Sequence, residues 1–224
     1  VGLLLSGSLY TSQGPERLFY PEFNDPNTNQ GIAERRDQDD SRSFFGMISY
    51  HDLTLTGAFH SREKQIPTAS YGTVFNDPRA NTIDAFGYAD VKYQRQLSDS
   101  TDLMARVSYD RYHYEGDYPF DYAGRGNPRD VVINFDRTVG EWFTAELQAN
   151  RTFFDRLKLT LGGEFRENFR QDQLNIDLEP YAPYVLDQRS SEIIGLYGQG
   201  ELSPLTNLLL SAGIRWDHYE AFGD

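Results

Sequence analysis

Apolar and polar residues alternate with period two along most of this chain, and the connections between the alternating runs are by turns short and long. In 157–165 one side carries Leu157, Leu159, Leu161 and Phe165, and the other Lys158, Thr160 and Glu164. In 208–216 Leu208, Leu210, Ile214 and Trp216 oppose Leu209, Ser211 and Arg215. Residues 53–59, 103–109 and 143–149 repeat the pattern, while 2–14, 39–50, 81–97 and 189–202 alternate less cleanly. Successive side chains of a strand point to opposite faces, so this periodicity predicts strands, about nine of them.

The connections narrow the architecture. Tyr50 to Asp52, Ser98 to Thr101, Phe154 to Arg156 and Ser203 to Asn207 are short. Between them lie long segments near 15–38, 64–80, 117–137 and 172–188. These hold the turn formers Pro21, Asn24-Asp25-Pro26, Asn76-Asp77-Pro78, Gly124, Gly126-Asn127-Pro128 and Pro180. Strict alternation of short turns with long loops is the signature of an up-and-down membrane barrel, with the long loops outside the cell. Runs such as 102–116 and 157–171 exceed the roughly 5–6 residues of a soluble strand. They suit a tilted membrane strand of about 9–11 residues that projects beyond the bilayer.

Energetics set the direction of the faces. With the register shifted by one, Lys158 and Glu164 would meet hydrocarbon. A cation at the midplane of a barrel's lipid face costs about 2–4 kcal/mol. The Leu/Ala/Val/Phe side is therefore expected outside and the Lys/Thr/Glu/Arg side within. A soluble β-sandwich would bury the apolar side instead.

Composition fits. Hydrophobic residues are 38% of the 224 and no run is long enough for a membrane helix. A net charge of −13 argues against nucleic acid, and the absence of cysteine excludes disulfides and thiolate metal sites. Val1-Gly2-Leu3-Leu4-Leu5 lacks the features of a signal peptide, so the chain reads as mature or as a piece of a longer one.

Several stretches resemble TonB-dependent outer-membrane receptors. One is Leu53 to Phe59 running into Ser61-Arg62-Glu63-Lys64-Gln65-Ile66-Pro67 and on to Phe75-Asn76-Asp77-Pro78-Arg79. Another is Met104 to Tyr112 followed by Gly116-Asp117-Tyr118-Pro119. Leu157 to Asn168, and Ala212 to Tyr219 with Phe222-Gly223, are similar. The resemblance implies a barrel of about 22 strands, an N-terminal plug and a TonB box. It implies uptake of iron–siderophore complexes, cobalamin, haem or sugars, energised by the TonB-ExbB-ExbD complex. At about 25 residues per strand, the whole barrel would need roughly 550 residues. Residues 1–224 thus read as one domain, an all-β, antiparallel, partial transmembrane barrel without plug or TonB box, truncated at both ends.

Chemistry beyond this is sparse. His51, His60, His113 and His218 form no ligand-spaced motif, and no cofactor or metal is expected. Asp37, Asp39 and Asp40 lack calcium-loop spacing and read as a solvated loop. Ser108 and Asp110 share a face that His113 does not, which argues against a catalytic constellation. Gly72 and Gly124-Arg125-Gly126 read as turn glycines, not phosphate loops. The better lead is Tyr112, Tyr114, Tyr118 and Tyr122 with Arg111 and Arg125, joined by Tyr71 and Arg79 of the preceding loop. Rigid aromatic and forked guanidinium side chains suit an extracellular surface for an anionic, siderophore-like ligand. The alternative for these residues is an interfacial girdle touching lipopolysaccharide. The expected function is energised uptake at the Gram-negative outer membrane, with lipid around the barrel. The alternatives are a small porin-like channel, a soluble β-sandwich and, last, an outer-membrane enzyme.

Overall fold

The computed structural model describes residues 1–123 and 128–222. Its strands are β1 (Gly2–Ser12), β2 (Arg17–Phe19), β3 (Ile32–Glu34), β4 (Asp39–Tyr50), β5 (Leu53–Gln65), β6 (Asn81–Ser98), β7 (Thr101–Asp121), β8 (Val131–Phe153), β9 (Leu157–Asp177), β10 (Ala182–Leu205) and β11 (Leu208–Tyr219). Nine of them form one antiparallel sheet in the order β1-β4-β5-β6-β7-β8-β9-β10-β11, each strand beside its chain neighbour. The sheet is not closed, so β1 and β11 are edges among the described residues. The remaining two, β2 and β3, make a small ribbon within the first long loop.

Short turns drive this meander. Tyr50 pairs with Leu53 across a two-residue turn in which His51 takes a positive φ of 50°. Phe153 pairs with Leu157 across a turn whose Phe154 and Asp155 have φ of 53° and 55°. Positive φ at such corners matches the strands' own twist. The last turn is tighter than expected. Strand β10 runs through Pro204 to Leu205 over a register shift and turns on residues 206–207 alone.

Register fixes the two faces. One rung runs from Leu3 through Ile48, Leu55, Val91, Val107, Ala145, Phe165 and Ile194 to His218. The adjacent rung, on the opposite face, holds Met47, Thr56, Asp90, Ser108, Thr144 and Arg166. Leu161 and Ile214 on the apolar face are 65% and 79% exposed. No second sheet covers them among the described residues, and that overturns the sandwich alternative. The polar face instead knits itself together with hydrogen bonds. Arg106 donates to Asp90, and Tyr197 donates to Glu146 at 2.7 Å. Arg166 lies over Trp142 at 4.5 Å and donates to Asn168 at 2.9 Å.

Two of the expected loops are shorter than their sequence suggested. The third spans 122–130 and the fourth only 178–181, because β7, β8, β9 and β10 continue far past the apolar belt. Their outer ends sit next to the turn formers Gly124, Gly126-Asn127-Pro128 and Pro180, which make them read as loop although Ile133 and Phe135, and Leu174 and Ile176, keep the alternation. Pro119 sits within β7 for a specific reason. Strand β6 has already ended beside Asp117, and the open edge there is filled by Val74, whose N–H donates to the Pro119 carbonyl at 2.7 Å. A proline facing that edge removes no ladder bond.

Candidate functional site

The tyrosines of the sequence reading fall into a row, not a loop. Tyr112, Tyr114 and Tyr118 lie on β7 at even spacing, so all three face the polar side. Gly116 between them carries no side chain, and the Tyr114 and Tyr118 rings close over it, their hydroxyls hydrogen-bonded to each other. Burial pushes the Tyr118 phenol, beyond the 102–116 membrane run, above the ordinary tyrosine range, so it stays protonated. Tyr112 donates to Asp84 at 3.2 Å, and Tyr71 from the second outer loop meets Tyr118 edge to face at 5.8 Å.

Across the sheet the row continues in residues that the sequence reading left in loops. The side-chain amide of Asn134 donates to Asp177 at 2.9 Å, and that of Asn175 donates to Asp136 at 2.6 Å. The Tyr122 and Tyr184 hydroxyls also donate to Asp177, at 3.3 and 2.7 Å. Asn134 and Asp177 are buried. The available signal was the i, i+2 pairing of Asn134 with Asp136 and of Asn175 with Asp177, a polar version of strand alternation. Ile133 and Phe135 opposite the first pair, and Leu174 and Ile176 around the second, complete that alternation.

The cations do not join this row. Arg79 forms a forked pair with Asp77, at 2.9 and 2.6 Å, and this holds the Asp77 carboxyl below its usual range. Arg111 lies on the opposite face, 3.6 Å from Glu141. It is therefore separated from the tyrosines with which the sequence grouped it, because odd and even residues of one strand face apart. Arg125, with Gly124, Gly126 and Asn127, lies outside the described residues, as do Gly223 and Asp224.

The outer loops pack as one unit against this wall. Phe23 of the first loop stacks on Phe75 of the second at 4.6 Å, and Tyr20 meets Phe75 edge on at 5.9 Å. The Glu34 N–H donates to the Asn76 side chain at 2.9 Å, and Arg36 donates to the Asn76 carbonyl at 3.2 Å. Tyr71 and Val74 then carry the contact to Tyr118 and Pro119. The result is a wall of neutral hydroxyls, carboxamides and carboxylates beneath a braced loop pair. It can hydrogen-bond a polar ligand from many directions, and among its described residues no nucleophile and base are arranged together.

The family described as "TonB dependent receptor-like, beta-barrel" matches residues 11–224. No curated protein matches the chain. Among solved structures it is similar to a mutant ferric enterobactin receptor from Pseudomonas aeruginosa, with a TM-score of 0.53 at 15% sequence identity. The match covers 84% of this chain and 29% of that receptor, so the chain spans less than a third of its length. At that identity the likeness bears on fold alone.

Proposed function

Because the chain belongs to the TonB-dependent receptor-like β-barrel family, whose home is the outer membrane of Gram-negative bacteria, we propose that it forms part of the wall of an outer-membrane nutrient transporter. Residues 1–224 supply barrel only. Lipid and lipopolysaccharide surround the apolar face. A plug, supplied by another part of the protein, would couple to the TonB-ExbB-ExbD complex. The ligand is siderophore-like, and it is first met by the outer loop unit and by Tyr71, Tyr112, Tyr114, Tyr118 and Tyr122. Arg79 acts through the loop it braces against Asp77, and Arg125 is included from its place in the sequence alone. Uptake of this kind needs no catalytic residue.

The observation that carries the reading is the register. A single set of rungs presents apolar side chains on one face of nine strands and a hydrogen-bonded polar network on the other. A wall between hydrocarbon and an aqueous lumen accounts for both at once. A passive porin-like channel shares that requirement and differs in energisation. Uptake of ferric siderophores by cells carrying the full-length protein separates the two. Uptake that stops when TonB is deleted supports the proposal. Equal uptake with and without TonB identifies a passive channel.

A further inference from the structure

The polar face is acidic toward its outer end, and its carboxylates are not neutralised. Asp84 accepts from Tyr112 at 3.2 Å, Asp136 from Asn175 at 2.6 Å, and Asp177 from Asn134, Tyr122 and Tyr184. All of these donors are uncharged, and among the described residues no ion pair reaches the three carboxylates. Asp177 is buried beneath its donors, whereas Asp84 accepts one bond and is exposed.

The cations nearby are engaged elsewhere. Arg62, the register partner of Asp84, forks onto Asp39 at 2.9 and 2.5 Å. Lys64 pairs with Asp37, and Arg189 with Asp187 at 2.8 Å. In the loop unit Arg36 and Arg129 hold the carbonyls of Asn76 and Asn27. Beside Asp84 the face turns aromatic. Phe86, two residues along β6, lies 6.4 Å from Tyr88 and 6.3 Å from Trp142. Trp142 already carries Arg166 over its ring, while Phe86 is 39% exposed. A carboxylate without a cation and an exposed ring beside it both favour positive charge.

We propose that this wall selects its ligand by the sign of its charge. It takes a ferric chelate of neutral or positive net charge, seats a pendant ammonium between the Asp84 carboxylate and the Phe86 ring, and discriminates against an anionic chelate. The sequence pointed to an anion because it set Arg79 and Arg111 among the tyrosines, but Arg79 is forked onto Asp77 and Arg111 lies on the other face. The proposal rests on the siderophore-like reading of the ligand and adds its charge.

The test uses the full-length protein in detergent micelles and reads binding by quenching of its intrinsic fluorescence. The probes are ferrioxamine B, a trihydroxamate chelate with a free ammonium, its neutral N-acetylated form, and ferric enterobactin, an anionic tricatecholate. Wild-type protein is expected to hold ferrioxamine B about tenfold more tightly than either of the others, as a charge-assisted contact does. Asp84→Asn keeps an acceptor for Tyr112 and removes the charge. It should weaken ferrioxamine B about tenfold, leave the acetylated form unchanged and bind the tricatecholate no less tightly. Phe86→Leu should weaken ferrioxamine B about threefold. Damage to the fold would instead weaken all three probes alike, and that result at Asp84→Asn overturns the ammonium seat, as does equal binding of ferrioxamine B and its acetylated form. Equal or tighter binding of the tricatecholate by wild-type protein overturns the charge selection and leaves the siderophore-like reading standing. Binding of none of the three probes contradicts that reading itself, and the charge selection with it.

Discussion

Phe23 stacks on Phe75 at 4.6 Å and 23°, binding the first outer loop to the second although neither belongs to the main sheet. Phe75 is almost fully buried, and its ring also contacts Tyr20. A loop pair held by this aromatic knot and by the hydrogen bonds to Asn76 should open as a unit. Phe75→Ala is expected to lower the local opening free energy by about 3 kcal/mol. Hydrogen exchange should then quicken roughly a hundredfold in both loops and leave β8 and β9 unchanged. Faster exchange in the second loop alone would show that the loops open independently.

The same loop carries a pH dependence. Asp77 is held below its ordinary range, chiefly by the hydrogen bonds from Arg79. A carboxyl depressed in the folded state contributes stability above its unfolded pKa of about 3.9, and loses it as pH falls through the folded value. Protection of 66–80, taken relative to intrinsic exchange at each pH, should therefore fall below about pH 4. Asp77→Asn should be less protected at neutral pH and flat across that window.

On the polar face Tyr197 lies over Gly162, so that a Cβ at Gly162 would collide with its ring. The pose delivers the Tyr197 hydroxyl to Glu146 and Gln148 at 2.7 and 3.0 Å. Gly162→Ala is expected to cost about 1–3 kcal/mol in urea unfolding from lipid vesicles. With Tyr197→Ala already present it should cost much less, since the two changes remove one contact. Additive costs would place the effect in backbone strain instead.

Parity decides what the fold tolerates. Leu161→Arg should cost about 2–4 kcal/mol in assembled membranes, and Thr160→Arg little, although the two positions are adjacent. Assembly yields in the outer membrane read the difference. Equal yields would contradict the assignment of faces.

How much of this the sequence revealed depended on hydrocarbon. Where a strand crosses the belt, as in Leu157 to Phe165, alternation gave both strand and face directly, and the turn at His51 was placed to the residue. Above the belt the signal failed. Asp117 to Asp121 and Asp172 to Asp177 are strand but read as loop, because the turn formers Pro119, Gly124, Gly126-Asn127-Pro128 and Pro180 outweigh the short alternation of Leu174 and Ile176 with Asn175 and Asp177. Placed in loops by those turn formers, Asn134, Asn175 and Asp177 carry no sequence sign that they are partners of the tyrosine row. Arg111 was grouped with Tyr112 by proximity in sequence, whereas a strand sends neighbours to opposite faces.

The Leu/Ala/Val/Phe face of the nine-stranded sheet is proposed to meet lipid. The chain has no cysteine, so single replacements can be read one at a time. Fluorophores would be attached to Leu147→Cys, Leu161→Cys, Leu196→Cys and Ile214→Cys, and to Gln148→Cys, Thr160→Cys and Gln199→Cys, in the membrane-assembled protein. Quenching by brominated lipid should be strong in the first group and weak in the second, which aqueous iodide should quench instead. Reversed or equal quenching between Thr160→Cys and Leu161→Cys would contradict the account.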